Sequence, residues 1–375
     1  MKRFITDSFI DRHSKNKITI LSGPKGAGKT TFVEAVFIDR KVDYQLIDLR
    51  QTAIRAEINK LNIEELIWLV NQKKQVLICE GEHLKLLQQL LDAVLDEGAI
   101  ASVVLTASNT LNLDDELIDA IEYQGLHFYF PPPTFYEYTR STSLSLESSG
   151  IESRLVYGNY HPLELPVESK KEKLNSIIQL MVESHFSAAN RINKSEVLMK
   201  TLHVLANQIG EALSFNQIAT FIEVDNETIE RYITLLCMSH IIYKVPCYST
   251  GKTYEIQKKF LFIFLDNGIR NSLLNNFNDL SLRIDIDKLW MNWLIAEKIK
   301  WDKLNNTVVQ YYFWRSHTRQ QVDFLEFRKR GISGYKFKYS KKKGLKTPPL
   351  FQKHYPEIPV HTINILSYIP FLTKS

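Results

Sequence analysis

The stretch that decides the fold is "ITILSGPKGAGKTT", Ile18 to Thr31. Its first part predicts a buried strand, and the segment that follows fits the phosphate-loop pattern G-x-x-x-x-G-K-[ST]. Gly23, Gly26 and Gly28 let the backbone curl, so that successive N–H groups and the start of the next helix point at phosphate oxygens. The sequence therefore predicts nucleotide binding. The alternative is a glycine-rich turn without a ligand, which the strand-to-helix setting disfavours.

Two residues of this loop have specific expected roles. Lys29 supplies a positive charge to the outer phosphates of ATP, and Thr30 is expected to place its hydroxyl on a bridging Mg²⁺ ion. In a later strand, "VVLTASNTL", the residues Thr106, Ser108 and Asn109 stand where a γ-phosphate contact is expected, although strand-end capping explains them almost as well. The predicted nucleotide contacts are Gly23, Pro24, Lys25, Gly26, Ala27, Gly28, Lys29, Thr30, Thr31 and Ser108.

A third stretch, "QVLICEGEHL", predicts a buried strand that ends in Glu80, Gly81 and Glu82. Hydrolysis needs one carboxylate that orients the water shell of Mg²⁺ and a second that polarises the attacking water. Glu80 is expected in the first role, as a metal-site residue together with Thr30. Glu82 is the catalytic candidate for the second role, because Gly81 has no side chain and the two glutamates share a face if the strand continues. The alternative for Glu82 is a solvated loop acid.

The order of patterns along the chain predicts an α/β fold. Five apolar runs alternate with helical patterns between Lys17 and about Pro133, as in a mostly parallel sheet: "ITILSG", "YQLIDL", "VLIC", "SVVLTAS" and "LHFYF". The polar tract "STSLSLESSGIES", Ser141 to Ser153, then predicts a linker or lid. Further on, "LSFNQIATFIEVDNETIERYITLLCMSHIIYKV" predicts the helix, turn, helix and strand of a winged helix. The segments "VVQYYFW", "VDFLEF" and "YKFKY" predict strands of a last domain.

Composition narrows the class of protein. The 375 residues, 44% of them hydrophobic, suffice for two or three domains that each bury a core. No apolar run approaches the roughly 20 residues that span a bilayer, and the first residues lack a signal-peptide pattern, so a cytoplasmic protein is expected. The three cysteines, Cys79, Cys237 and Cys247, suggest neither disulfides nor a zinc site. A net charge of +5 permits a nucleic-acid partner without requiring one.

Several of these motifs resemble one known family. The segments "ILSGPKGAGKTT", "VVLTASN" and "PPPTFYEYTR" are similar to the motifs GPRxxGKT, TGS and PLSFxEY of AAA+-type ATPases of bacteria and archaea, and "YGNYHPLE" and "KKFLFIFLDNGIRNSL" extend the similarity. The resemblance implies ATP and Mg²⁺ as cofactors. It also implies a P-loop domain over residues 1–145, a helical lid over 146–198, a winged helix over 199–252 and a domain similar to PD-(D/E)XK nucleases over 253–375.

The departures from that family are informative. Its Asp-Glu pair is Glu80-Gly81 here, and its loop arginine is Lys25, so weak hydrolysis is expected. In the last domain the motif EVDF appears as "QVDF" and EVKxS as "KFKYS", which leaves only Asp323 and Lys338. Lys336 puts a positive charge where a metal ion should bind, so nuclease activity is not expected.

Charge distribution bears on the partner. Residues 328–353 contain ten lysines and arginines and no acid, interleaved with Tyr335, Phe337 and Tyr339. This pattern predicts contact with a nucleic-acid backbone through Lys338, Lys341, Lys342 and Lys343, or a solvated edge strand. In the winged helix, the second helix is expected to begin at Asp225 or Asn226 and to expose Glu227 and Glu230. These acids would repel phosphates, so that module is expected to pack within the protein.

Three functions remain open at this point. The first is a slow ATPase whose nucleotide state repositions the C-terminal domains around a nucleic acid or a protein. The second is a nucleotide-binding switch without turnover, and the third is a binding module of degenerate nuclease fold that carries a structural ATPase domain. No membrane partner is expected, and a homo-oligomer stays open.

Overall fold

The computed structural model describes residues 2–13, 16–96, 101–124, 126–183, 191–249, 258–340 and 345–373. The chain divides into two compact units. The N-terminal unit comprises residues 1–132 and 238–240, and the C-terminal unit comprises residues 133–237 and 241–375.

A five-stranded parallel sheet forms the centre of the N-terminal unit. Its strands are β1 (Ile18–Ser22), β2 (Gln45–Asp48), β3 (Gln75–Cys79), β4 (Ser102–Ala107) and β5 (Leu126–Tyr129), in the spatial order β2-β3-β4-β1-β5. The helices are α1 (Thr6–His13), α2 (Lys29–Asp39), α3 (Thr52–Ile58), α4 (Ile63–Val70), α5 (Leu87–Asp96) and α6 (Asp115–Gln124). The predicted parallel α/β sheet is confirmed, with a strand at each of the five predicted runs.

Burial explains why these short runs become strands. Every residue of β1 and β3 is buried, as expected for a parallel sheet that helices cover. Ile20, Ile78 and Leu105 belong to the same core cluster as Leu90 and Leu91 of α5. Because all five strands run in one direction, their carboxyl ends lie at one edge of the sheet, where ligands bind in folds of this kind.

The C-terminal unit contains two smaller sheets. One has the order β6-β8-β7 and is antiparallel, and the other has the order β12-β11-β10-β9 and is antiparallel except for the parallel pair β11 and β12. The strands are β6 (Ala212–Leu213), β7 (Ile242–Pro246), β8 (Phe260–Phe264), β9 (Gln310–Arg315), β10 (Gln321–Arg328), β11 (Gly331–Phe337) and β12 (Val360–Ile363). The helices are α7 (Phe135–Ser141), α8 (Leu144–Ser149), α9 (Ile151–Tyr157), α10 (Val167–Glu183), α11 (Arg191–Asn207), α12 (Phe215–Ile222), α13 (Asn226–Met238), α14 (Asn267–Leu273), α15 (Ile286–Leu304), α16 (Pro349–His354) and α17 (Tyr368–Thr373).

Helices α12 and α13 follow the predicted order and have strong N-terminal caps. Ser214 and Gln217 form a capping box at α12. Asp225 accepts the N–H of Thr228 over 2.7 Å, so it is the N-cap of α13. Glu227 and Glu230 of α13 are exposed. The winged-helix assignment of this segment stays a prediction.

Helix α15 lies at the centre of the largest core. Trp290, Leu294 and Ile299 are fully buried there beside residues of β8, β9 and β10. The side chain of Asn292 bonds to both the N–H and the C=O of Phe264, which fixes the helix against β8. The nuclease-like assignment of the last domain stays a prediction.

The polar tract 141–153 does not form an extended linker. It contains α8 and the start of α9, which meet at Gly150. Arg154 donates to Glu147 from two nitrogens, over 2.8 and 3.0 Å, and both side chains are only 1% exposed. Most of the tract is exposed, but Glu147 is buried in an ion pair with Arg154, the residue that follows the tract.

Within the described parts of the chain, no helix combines the length and the apolar character needed to cross a bilayer.

Candidate functional site

Strand order brings three predicted segments to one edge of the sheet. Strand β4 lies between β1 and β3, with Ser22 paired to Ala107 and Cys79 paired to Thr106. The phosphate loop follows β1, Glu80 follows β3, and Ser108 follows β4. Ser108 is therefore positioned to contact residues of both neighbouring segments.

Glycine conformation shapes the phosphate loop. Gly26 and Gly28 have φ angles of 76° and 90°, in the left-handed region that favours glycine. A Cβ atom on Gly23 would lie 2.1 Å from the carbonyl oxygen of Phe130, so no larger residue fits there. A Cβ atom on Gly28 would meet nothing within 4 Å. The loop thus packs against β5 at its start and faces open space before α2.

Lys29 is buried at the centre of this loop. Its Nζ donates to the carbonyl oxygens of Gly23 and Pro24, over 2.7 and 3.0 Å, and to Oγ of Ser108 over 3.1 Å. Burial lowers the pKa of Lys29 to about 8, although the negative charges of Glu82 and Glu80 oppose the shift. The predicted contacts Lys29 and Ser108 therefore lie together.

The remaining loop residues differ in exposure. Thr30 is buried, and its Oγ1 lies 3.5 Å from Oγ1 of Thr106, which also accepts the N–H of Glu80 over 3.3 Å. The N–H of Ala27 reaches the carbonyl of Pro24 over 3.4 Å. Thr31 is exposed. Of the two threonines, Thr30 is the one that lies beside the ends of β3 and β4.

Glu80 has an unusual backbone and two cationic neighbours. Its φ of 55° is left-handed, a conformation that costs energy in a residue with a Cβ atom. The Nζ of Lys25 lies 3.0 and 3.2 Å from the two carboxylate oxygens, and Nε2 of His83 lies 3.3 Å from Oε2. Burial alone would raise the pKa of Glu80, but the hydrogen bond from His83 and the charge of Lys25 outweigh it and lower the pKa to about 2.

Glu82 has the opposite electrostatic environment. Its Oε1 accepts the N–H of Ser108 over 2.8 Å, whereas Oε2 is buried and has no hydrogen-bond partner within the described residues. Burial, helped by the negative charge of Glu80, raises the pKa of Glu82. Glu82 is therefore not a solvated loop acid.

The strand does not continue through Glu80 and Glu82, although the two glutamates do converge. Strand β3 ends at Cys79, and residues Gly81–His83 form a single 3-10 turn. A Cβ atom on Gly81 would lie 2.0 Å from a methyl carbon of Leu105, so the turn packs closely on β4. The turn, and not strand alternation, brings Glu80 and Glu82 together.

His83 was not predicted as a site residue. One donor atom each from Glu80, Glu82 and His83 lie within 4.8 Å of one another. The carbonyl of His83 accepts from the side chain of Asn59 over 2.9 Å, and Asn59 also accepts the N–H of Lys85 over 2.8 Å. The sequence signal was present as Glu-x-Glu-His, but its meaning depends on the turn.

The second predicted site lies in the C-terminal unit. A register shift in β10 between Val322 and Leu325 marks a bulge around Asp323. The side chain of Asp323 accepts from Gln321 and from the N–H of Phe337, each over 2.9 Å, and Lys336 donates to the carbonyl of Gln321 over 3.1 Å. Burial raises the pKa of Asp323, against the hydrogen bond from Phe337 and the charge of Lys336. The lysine thus lies beside the carboxylate.

Lys338 forms an ion pair that the sequence did not predict. Its partner is Asp287, in the first turn of α15, which also accepts the N–H of Tyr339 over 2.9 Å. Of the interleaved aromatic residues, Phe337 is buried in the core cluster around α15, and Tyr335 and Tyr339 are partly buried and pack against that cluster. The predicted nucleic-acid contacts Lys341, Lys342 and Lys343 lie outside the described residues.

Two family models match the chain. Residues 15–139 match a model described as an AAA domain, and residues 151–280 match a domain of unknown function (DUF8612). An uncharacterized protein of Haemophilus influenzae is 23% identical over 283 residues, which are 68% of this chain and 68% of that protein.

Solved structures give weaker likenesses. The Walker-type ATPase PabY2304 of Pyrococcus abyssi has a TM-score of 0.46 at 12% identity and covers 73% of this chain and 95% of its own. The RuvB Holliday junction branch migration motor of Thermotoga maritima has a TM-score of 0.31 at 15% identity, over 64% of this chain and 86% of its own. The DNA clamp loader delta protein of Bacillus subtilis has a TM-score of 0.33 at 11% identity, over 63% and 87%.

The family match and the phosphate loop agree. Residues 15–139, which match an AAA domain, contain the phosphate loop and support the predicted AAA-type ATPase domain. At TM-scores below 0.5, the solved structures transfer no function to this chain. The roles of the individual site residues stay predictions.

Proposed function

We propose that the N-terminal unit binds ATP with a divalent cation and hydrolyses it slowly, and that the bound nucleotide sets the arrangement of the C-terminal unit toward a partner. The observation that carries this proposal is the pair Glu80 and Glu82 beside the phosphate loop. One carboxylate has a pKa lowered to about 2, while the pKa of the other is raised. Neighbouring carboxyl groups whose pKa values are pushed apart are typical of sites with two distinct catalytic roles.

The residues of the loop fit a triphosphate. Lys29 is a buried cation whose present acceptors are two loop carbonyls and a hydroxyl, and phosphate oxygens are stronger acceptors for it. The side of Gly28 where a Cβ would project is open. Lys29 would bind the outer phosphates, and the N–H groups of the loop would hold the others.

The residues also fit Mg²⁺, which prefers oxygen ligands. Thr30 would supply its hydroxyl, and Glu80 would hold the water shell through a carboxylate that stays ionised. When bound, the ion neutralises charge that develops on the transferred phosphate. Glu82 would accept a proton from the attacking water at Oε2, since Oε1 is already engaged by Ser108.

Two features support slow turnover. Gly81 leaves the family's second acidic position without a side chain, and the catalytic acid is displaced to Glu82. Lys25 pairs with Glu80, so this pair must separate before Glu80 can serve a metal ion. The second feature equally favours a nucleotide-binding switch without turnover, which is the competing function.

The proposed coupling rests on connectivity. The chain passes from one unit to the other three times, at residues 132/133, 237/238 and 240/241. A change in the N-terminal unit therefore acts on the C-terminal unit through three covalent connections. Coupling should appear as nucleotide-dependent protection of C-terminal amides in hydrogen exchange. Identical exchange with and without ATP–Mg²⁺ would reject it.

Two measurements on wild type and Lys29→Ala test the nucleotide proposal: ATP–Mg²⁺ binding and release of phosphate. Loss of a buried charge-assisted contact should weaken binding by about 10- to 100-fold, from roughly 1.5–3 kcal/mol. Lys73→Ala, which removes an exposed lysine of the same unit, is the control. Unchanged affinity in Lys29→Ala would reject the site. Binding without phosphate release in wild type would establish the switch instead.

A nucleic-acid partner of the C-terminal unit is a separate proposal. It rests on the total positive charge of residues 328–353. Lys338 by itself is weaker support, because its charge is already paired with that of Asp287. DNA should remain uncut in Mg²⁺ or Mn²⁺, and its binding should weaken steeply as salt rises. Changing Lys341, Lys342 and Lys343 together to glutamine should reduce the salt slope by about 2–3. An unchanged slope would mean that these lysines are only a solvated edge.

A further inference from the structure

The turn after β3 presents three donor atoms of two chemical kinds. Glu80 and Glu82 offer carboxylate oxygens and His83 offers an imidazole nitrogen, all within 4.8 Å of one another. Ligands that lie about 2.1 Å from one ion, in neighbouring positions, are roughly 3.0–3.4 Å apart. The distance of 3.3 Å from Oε2 of Glu80 to Nε2 of His83 already has this value. Because all three atoms lie within 4.8 Å of one another, small side-chain adjustments would let them bind one ion.

The buried oxygen of Glu82 is the second observation. Oε2 has no hydrogen-bond partner within the described residues, and an unpartnered buried carboxylate oxygen is costly. Oε1 is held by the N–H of Ser108, so the carboxylate is fixed in orientation. A cation at the turn would give the free oxygen a partner.

Lys25 places a positive charge beside Glu80. Its Nζ lies 3.0 Å from Oε1 of Glu80, at hydrogen-bond distance, and its side chain belongs to the phosphate loop. A metal ion bound to Glu80 would repel this ammonium group, which the phosphates of a nucleotide could then receive. Lys25 and the metal ion therefore compete for one carboxylate.

We propose that, in the protein without nucleotide, Glu80, Glu82 and His83 form a site for a first-row transition-metal ion, such as Mn²⁺ or Co²⁺, which binds there in preference to Mg²⁺ and displaces Lys25. Imidazole suits transition metals, whereas Mg²⁺ prefers oxygen ligands and near-ideal octahedral geometry. The inference rests on the proposed function, since the same turn carries its two carboxylates. It adds a metal-bound state of the protein without nucleotide, in which His83 is a ligand and from which Glu82 is released when ATP–Mg²⁺ binds.

The test uses the full-length protein without nucleotide and without a histidine tag. Co²⁺ binding is followed by visible absorption, and Mg²⁺ is added as a competitor. Wild type should bind one Co²⁺ that Mg²⁺ displaces only in large excess. His83→Gln should weaken Co²⁺ binding at least about tenfold, and Glu82→Gln should do the same. Lys25→Met should strengthen it, because the competing cation is gone.

A matched control and a direct spectroscopic measurement complete the design. His203→Gln removes an exposed histidine of α11 and should leave Co²⁺ binding unchanged. Pulsed EPR of Mn²⁺ bound to wild type should detect coupling to an imidazole nitrogen, which is lost in His83→Gln. The nitrogen coupling is measured on the wild-type protein, so the proposal can be tested even if a variant fails to fold.

The outcomes separate this inference from the proposed function. Absence of nitrogen coupling, or equal Co²⁺ affinity in wild type and His83→Gln, overturns the metal site even if Lys29→Ala still weakens ATP binding. Metal binding that depends on His83 in a protein that binds no ATP supports the metal site and rejects the proposed function.

Discussion

The N–H of Ser108 donates to Oε1 of Glu82 over 2.8 Å, while the hydroxyl of the same serine accepts from Nζ of Lys29 over 3.1 Å. One residue at the end of β4 thus connects the phosphate loop to the turn after β3. Its backbone orients the carboxylate and its side chain holds the lysine. A change of ligand at Lys29 can therefore reach Glu82 through Ser108.

Glu82→Gln should abolish turnover and leave ATP binding intact. The amide oxygen of glutamine can still accept from Ser108, but the side chain cannot take a proton from water. General bases contribute about 10²- to 10⁴-fold to rate, so phosphate release should fall by that range. The measurement is phosphate release at saturating ATP. Glu57→Gln, an exposed glutamate of the same unit, is the control, and equal rates in Glu82→Gln and wild type would make Glu82 a bystander.

The elements of the N-terminal unit were predictable because their signals are local. Apolar runs of strand length and the spacing of Gly23, Gly28 and Lys29 are visible without knowledge of the fold. The turn at Glu80 was not, because a left-handed residue other than glycine leaves no clear pattern. The convergence of Glu82 and His83 depends on that backbone conformation, so it could not be read from alternation along a strand.

Two ion pairs of the C-terminal unit could not be predicted from the sequence for a different reason. Lys338 pairs with Asp287, and Arg154 pairs with Glu147 in a buried position. Both pairs depend on tertiary packing, and Arg154 and Glu147 in addition break the local rule that charged side chains face solvent, because each is only 1% exposed. Tyr335 and Phe337 of β11 alternate in sequence with lysines. Because side chains alternate between the two faces of a strand, these aromatic residues pack on the core cluster.

No side chain should fit at position 81 without loss of stability. A Cβ atom there would lie 2.0 Å from the methyl carbon of Leu105, so Gly81→Ala and Gly81→Glu should both destabilise the N-terminal unit, by about 1–3 kcal/mol for overpacking. Leu105→Ala, combined with Gly81→Ala, should cost less than the sum of the single changes. Hydrogen exchange of β3 and β4 measures the effect. Additive costs would exclude the steric explanation.

ATP affinity should fall as pH rises above about 8. Burial lowers the pKa of Lys29 to about 8, so the free protein loses this proton between pH 7.5 and 9, and phosphate binding requires the charged form. In the limit, affinity falls tenfold per pH unit above the pKa. The free energy of unfolding changes with pH in the opposite direction. In the unfolded chain the lysine keeps its proton up to about pH 10.4, whereas the folded protein has already lost it, so the contribution of Lys29 to stability rises between pH 8 and 10.

Lys29→Ala provides the control for this pH dependence. Its weaker residual binding should show no loss between pH 7.5 and 9, because the titrating group is absent. Dissociation constants measured at several pH values in that interval decide the point. Parallel pH profiles in wild type and Lys29→Ala would assign the effect to another group.

Removing one member of the buried pair Arg154 and Glu147 should destabilise the C-terminal unit more than replacing both members by apolar residues. Arg154 also donates to the carbonyl of His161 over 2.5 Å and stacks 3.6 Å above the ring of Tyr138. Arg154→Met leaves a carboxylate buried without its cation, which should lower the free energy of unfolding by about 3–5 kcal/mol. Converting both residues to methionine should cost less, because no uncompensated charge remains.

Urea unfolding followed by tryptophan fluorescence reports on this unit, since four of the five tryptophans lie in it. Lys200→Met, which breaks an exposed pair with Glu196 in α11, should change the urea midpoint little. A double variant less stable than Arg154→Met would mean that the pair stabilises the unit through its hydrogen bonds and not through charge compensation.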